Sequence, residues 1–150
     1  MDTALLPTTI LPDLVRSEAA HLLGWVGDET PRQKCGVFVS RRVGADRALA
    51  ARILQVYRRG CETYVGTLLA AQVNGTALID AATRPLLEVL ARHSRQPVER
   101  IAETLPFIRA DAKPVLDSVQ DRIDWMAAAG LVSERFPVRS IVDAGFGYIA

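Results

Sequence analysis

Short, uniformly apolar runs separated by polar turns open the chain. Thr3-Ala4-Leu5-Leu6 closes at Pro7, His21 to Val26 stops at the turn-rich Gly27-Asp28-Glu29-Thr30-Pro31, and Cys35 to Ser40 is β-branched and aromatic until Arg41-Arg42 end it. Runs of this length and evenness suit strands covered on both faces, as in α/β sheets. Between the first two, Thr8-Thr9 offers hydroxyl N-caps to a helix through Leu14-Val15, so a strand feeding a helix is the expected unit.

From residue 45 the period changes. Leu49, Ile53, Val56, Tyr57, Cys61, Tyr64 and Leu68 recur at three- and four-residue steps, which predicts a long amphipathic helix that loses definition near Gln72-Val73-Asn74-Gly75. A second helix is expected over 81–93, with Pro85 tolerable only in its first turn. A third is expected over 98–105, opened by Pro97 at N1 and stopped by Pro106. Leu116, Val119, Ile123 and Met126 make the stripe of a fourth. Gly130 is placed to end it in a left-handed conformation, with Leu131 folding back as in a Schellman cap. A turn of helix over 140–143 precedes the Gly145-Phe146-Gly147-Tyr148 tail.

Charge narrows the function classes. The 18 basic and 17 acidic residues leave a net +1, and residues 1–75 carry 9 basic and 7 acidic groups. Neither half has a polybasic footprint, so no nucleic-acid partner is expected; Arg41-Arg42 and Arg58-Arg59 read as solvated element ends. The 49% hydrophobic content places the chain among globular proteins. Met1-Asp2-Thr3 lacks the basic and apolar regions of a secretory signal, and no apolar run approaches a membrane span, so the chain as written is expected to be cytoplasmic.

Candidate chemistry is sparse. Cys35 and Cys61 form neither a C-x-x-C pair nor part of a four-ligand set, and His21 and His93 have no ligand-like spacing to Cys, Asp or Glu. No metal, cofactor or catalytic residue is therefore expected. Asp117, Asp121 and Asp124 share one side of a helix with Arg122 among them, which reads as a solvated face. Gly24-Trp25-Val26-Gly27 and Gly145-Phe146-Gly147 fit no phosphate-binding loop, and no nucleophile elbow occurs. Two features remain. Pro7-Thr8-Thr9 marks a strand-to-helix junction of the kind at which α/β sheets bind ligands, with plain helix caps as the competing reading. Thr30 to Lys34 is a polar turn that lines a cleft or is simply an exposed loop.

Taken in order, several segments resemble a known family. Asp117 to Met126, Gly130-Leu131-Val132, Pro137-Val138 and Ile141-Val142-Asp143 look like the closing segment of ABC-importer substrate-binding proteins of the nitrate, sulfonate, taurine and thiamine-precursor class. Asp2 to Leu6 resembles that family's strand into a ligand-side helix, Gly36 to Ser40 its strand returning to the first lobe, and Arg52 to Tyr57 its following long helix. Phe107-Ile108 precedes the final segment as a similar pair does there. The resemblance implies a helix-rich α/β chain with about three short strands and then four to five helices, part of a type II periplasmic-binding-protein-like fold. Residues 1–34 would be the end of the second lobe and a crossing segment, and 35–150 the C-terminal part of the first, with the N-terminal half of the bilobal protein missing.

The same resemblance implies a role in binding a small solute in transport, with an ABC permease as partner and a periplasmic or membrane-associated location for the family. Pro7, Thr8 and Thr9 would face the ligand, and Gln33 and Lys34 would lie at the crossing. Relatives often carry an acidic residue followed by proline where Thr8-Thr9 stand here. Two alternatives stay open. One is an enzyme like the pyrimidine synthase of thiamine formation, with Cys35 its candidate at the crossing. The other is a free-standing interaction protein that self-associates through uncovered sheet edges.

Overall fold

The computed structural model describes residues 3–25 and 36–146. Helices dominate them: α1 (Leu11–Arg16), α2 (Arg41–Ala45), α3 (Arg47–Tyr64), α4 (Arg84–Ser94), α5 (Val98–Glu103) and α6 (Leu116–Ala128). Two short strands, β1 (Gln72–Val73) and β2 (Thr76–Ala77), complete the regular structure together with a π-helical turn and two 3-10 turns. The helix-rich architecture matches the sequence reading, and two strands are compatible with an α/β class.

The strands lie elsewhere than expected. The described residues of the three apolar runs, 3–6, 21–25 and 36–40, form no ladder. A strand needs a neighbour for its backbone donors and acceptors, and among the described residues the ladder is β1 with β2 alone. The runs consequently show their side chains to solvent, with Leu5 and Leu23 each 83% and Phe38 88% exposed. The pairing that does form arises at the segment read from sequence as a turn. Asn74 and Gly75 have φ of 52° and 81°, the left-handed pair that a two-residue type I′ hairpin requires, and they set the register Gln72↔Ala77 and Val73↔Thr76.

Contacts divide the chain into two units, Met1–Leu23 with Arg58–Asp111 and Gly24–Tyr57 with Ala112–Ala150. In the first, Leu68, Ala77, Leu87 and Ala102 form a fully or nearly fully buried cluster, with Tyr64, Ile79, Leu90, Val98 and Ile101 packed against it. The π-helical turn Val65–Leu69, β2, α4 and α5 each supply one buried member. The Tyr64 hydroxyl donates to the Pro106 carbonyl at 2.7 Å, and burial pushes its pKa up to about 12.

Two connections hold these elements in order. Before α4, the Asp80 carboxylate accepts from the N–H groups of Ala82 and Thr83 at 2.9 and 3.0 Å. The buried Thr83 hydroxyl in turn accepts from Asp80 N–H at 3.0 Å and donates to the Leu78 carbonyl at 2.5 Å. After α4, Arg95 takes φ of 58° and Gln96 N–H closes on the Ala91 carbonyl at 3.2 Å. Pro85 sits in the first turn of α4, as expected. Pro97 is the N-cap of α5 and not its first residue, since its extended ψ of 151° lies outside the helix.

In the second unit, Ser40 caps α2 by accepting from Val43 N–H at 3.3 Å, and Asp46 caps α3 by accepting from Leu49 N–H at 3.0 Å. Helix α6 ends in the expected Schellman pattern. Gly130 has φ of 70°, Leu131 N–H reaches the Met126 carbonyl at 2.9 Å and Gly130 N–H reaches that of Ala127 at 3.1 Å. The Leu131 side chain nevertheless stays 60% exposed. Leu116 and Ile123 pack with Val138 of the 3-10 turn Val138–Ser140, alongside Val119, Phe136 and Val142. The helical turn expected over 140–143 lies instead at Val138–Ser140, and a second 3-10 turn, Ala144–Phe146, follows it.

Gln120 ties this segment to α6. Its amide nitrogen donates to Asp124 at 2.7 Å and to the Phe136 carbonyl at 3.1 Å, and its amide oxygen accepts from Val138 N–H at 2.7 Å. Asp124 is also gripped through both oxygens by Arg135 at 2.7 Å, which holds its pKa below the usual carboxylate range with help from Gln120. Gln120→Leu preserves volume but strands a part-buried N–H at Val138. It is expected to cost about 1–3 kcal/mol, seen as a lower urea midpoint at unchanged slope; an unaltered midpoint would refute the clamp. Nearby, Arg47 pairs with Asp143 and lies 3.7 Å over the Phe146 ring, an arrangement that leaves no room for a Cβ at Gly145.

Candidate functional site

A turn and two short helices of the first unit build an open polar cleft of about 520 Å³, lined by Thr9, Asp13, Arg16, Gln96, Pro97, Glu99, Arg100 and Glu103. One wall begins at the expected strand-to-helix junction. Pro7 starts a turn in which its carbonyl accepts from Ile10 N–H at 3.1 Å, and Pro12 then sits in the first turn of α1. The N-cap of α1 is Ile10, in helical conformation and without a side-chain cap, so the hydroxyls of Thr8 and Thr9 do not serve as the caps expected from sequence. The turn places them one and two residues too early for that role.

The opposite wall is α5 and the two residues before it. The αL residue Arg95 and the extended Pro97 redirect the chain out of α4 and set Gln96 and Pro97 on the cleft. Ala102 buries one side of α5 in the core, with Val98 and Ile101 packed beside it, and this leaves Glu99, Arg100 and Glu103 on the cleft side.

Charges link the walls. Arg100 donates to both oxygens of Asp13, at 3.0 and 2.8 Å, and also to the Thr9 carbonyl. Arg16 donates to Asp13 at 3.2 Å and to Glu103 at 2.9 Å, while Arg100 lies 3.9 Å from Glu103. Two guanidinium groups and two carboxylates thus close a ring that neutralises itself. Glu99, exposed and outside the ring, leaves the lining with three carboxylates against two guanidinium groups. Such a cleft offers hydrogen-bond donors and acceptors to a small polar solute.

Of the residues singled out from sequence, Thr9 lines this cleft, Thr8 is half-buried beside it in the chain, and Pro7 is exposed. Gln33 and Lys34 lie outside the described residues, as does Cys35. Asp13, Arg16, Arg100 and Glu103 were not legible as a site. Each pair shows an i, i+3 spacing of opposite charges, but the joining of two pairs 87 positions apart has no local signature. Among the described residues no group of three or more His, Cys, Asp or Glu could hold a metal ion, and no helix is long and apolar enough to cross a membrane. No protein-family model, curated protein or solved structure significantly matches the chain.

Proposed function

We propose that the chain is a solute-binding component of an ABC importer, corresponding to the C-terminal portion of a type II periplasmic-binding-protein-like receptor. Its solute is a small organic or inorganic anion or a thiamine-precursor-like compound. The permease is its partner, the location is that of the family, periplasmic or membrane-associated, and Pro7, Thr8, Thr9, Gln33 and Lys34 are its ligand contacts. The role is binding and not catalysis.

One observation carries this reading. Leu5, Leu23 and Phe38, in the three runs patterned as doubly covered strands, are more than four-fifths exposed and unpaired among the described residues. Strands of that pattern belong inside a sheet whose neighbours come from elsewhere. The order of the family-like segments along the chain agrees with it. The same exposed side chains favour a second reading, a protein that self-associates through these runs.

A thermal-shift series with nitrate, taurine, an alkyl sulfonate and an aminopyrimidine separates the two. Ligand at about 100 times its dissociation constant stabilises by about 2.7 kcal/mol, which for a chain of this size raises Tm by roughly 5–10 °C. A rise with one solute class is the expected result. A flat series combined with a dimer in analytical ultracentrifugation would replace the receptor reading with self-association.

A further inference from the structure

Within the first unit, residues 9–16 are held more by charge than by burial. Helix α1 contributes no buried residue; Leu11, Pro12 and Leu14 are only half-buried, and Ile10 and Val15 are 45% and 43% exposed. Among the described residues, the long-range hydrogen bonds of residues 3–25 all run to α5, through Arg16 to Glu103 and through Arg100 to Asp13 and the Thr9 carbonyl. The two sides of this junction differ. Helix α5 is rooted in the core by Ala102, and the Arg100 side chain is only 15% exposed, whereas those of Asp13 and Arg16 are 63% and 62% exposed.

We propose that residues 9–16 form a strap, held against the cleft by the Asp13, Arg16, Arg100 and Glu103 ring and released when the ring is screened or broken. Two physical facts make the attachment switchable. The strap's own charges, on Asp13 and Arg16, are solvent-reached, so their attraction to α5 weakens as the screening length falls from about 30 Å at 0.01 M salt to about 3 Å at 1 M. A helix of six residues has no stability of its own, so α1 melts when it detaches. Release therefore opens one wall of the cleft and leaves the core cluster intact. It also frees the Arg100 guanidinium and the Thr9 carbonyl toward the cleft.

Amide hydrogen exchange on the full chain tests this. The reporters are the N–H groups of Ser17, Ala19 and Ala20, which close on the carbonyls of Asp13 and Leu14. The controls are Leu87 in α4 and Ile101 in α5, whose amides bond to the carbonyls of the N-cap residues Thr83 and Pro97. Raising salt from about 0.01 M to 1 M is expected to speed the reporters roughly tenfold and to leave the controls unchanged. Asp13→Asn and Arg100→Gln should each produce the same acceleration at low salt and remove most of the salt dependence. Arg100→Gln lies outside α1 and so leaves its intrinsic helicity alone. Reporters indifferent to salt and to both variants, or controls that accelerate with them, would overturn the strap.

Discussion

Leu87→Ala is expected to lower stability by about 2–5 kcal/mol, the range for deleting a fully enclosed leucine side chain. The residue has no exposed surface and packs in one cluster with Leu68, Ala77 and Ala102. Those partners come from three other elements, so the cavity sits where the π-helical turn, the hairpin and α5 meet α4. Collapse around it would require several backbones to move at once, which places the cost toward the upper part of the range. At this chain length the loss amounts to roughly 6–15 °C in Tm. Val89→Ala on the same helix, at 43% exposure, is the matched control and is expected to cost no more than about 0.5 kcal/mol. Equal losses in the two variants by denaturant titration would mean that the cluster is not the core of this unit.

The second large effect lies at the entry to α4. Thr83→Val keeps the shape of a side chain that is 1% exposed and removes the hydroxyl that accepts from Asp80 N–H and donates to the Leu78 carbonyl. Both backbone groups lose their partner, at about 1–3 kcal/mol. Thr83→Ser, which retains the hydroxyl, should recover most of the loss; failure to do so would assign the effect to the methyl group.

The same turn makes the unit acid-sensitive in a defined direction. Hydrogen bonds from Thr83 N–H, then Ala82 N–H, hold the Asp80 carboxyl below its usual range. A depressed carboxylate stabilises the fold above its unfolded pKa of about 3.9, and that contribution is lost as pH falls through the depressed value. Asp80→Asn should therefore flatten the acid limb of the stability profile below about pH 4. An unchanged limb would show that other carboxylates carry it.

Periodicity located α3, α4 and α6, because a stripe at 3.6-residue spacing is a local property that survives whatever packs against it. Gly130 announced the end of α6 through its own backbone freedom, and the Schellman bonds formed as expected. The apolar runs at residues 3–6, 21–25 and 36–40 form no ladder for the opposite reason. Apolar composition marks a segment able to pair, but pairing needs a partner, and among the described residues no strand forms a ladder with these runs. Asn74-Gly75 needed no distant partner, only two residues with positive φ, and there the ladder formed.

The cleft divides in the same way. Thr9 stood out because it follows an apolar run and a proline, and it does line the cleft, while its expected capping role fell to the geometry of the Pro7 turn. The ring of Asp13, Arg16, Arg100 and Glu103 was invisible, since its charges stand 87 positions apart and meet through the packing of α5, which Ala102 roots in the core. Helix period and the glycine ending of α6 were thus determined by the sequence alone, because their hydrogen bonds close within a few residues. Which apolar runs find a ladder, which charges meet and where a cleft opens were decided by tertiary structure, because each depends on groups brought together from distant parts of the chain.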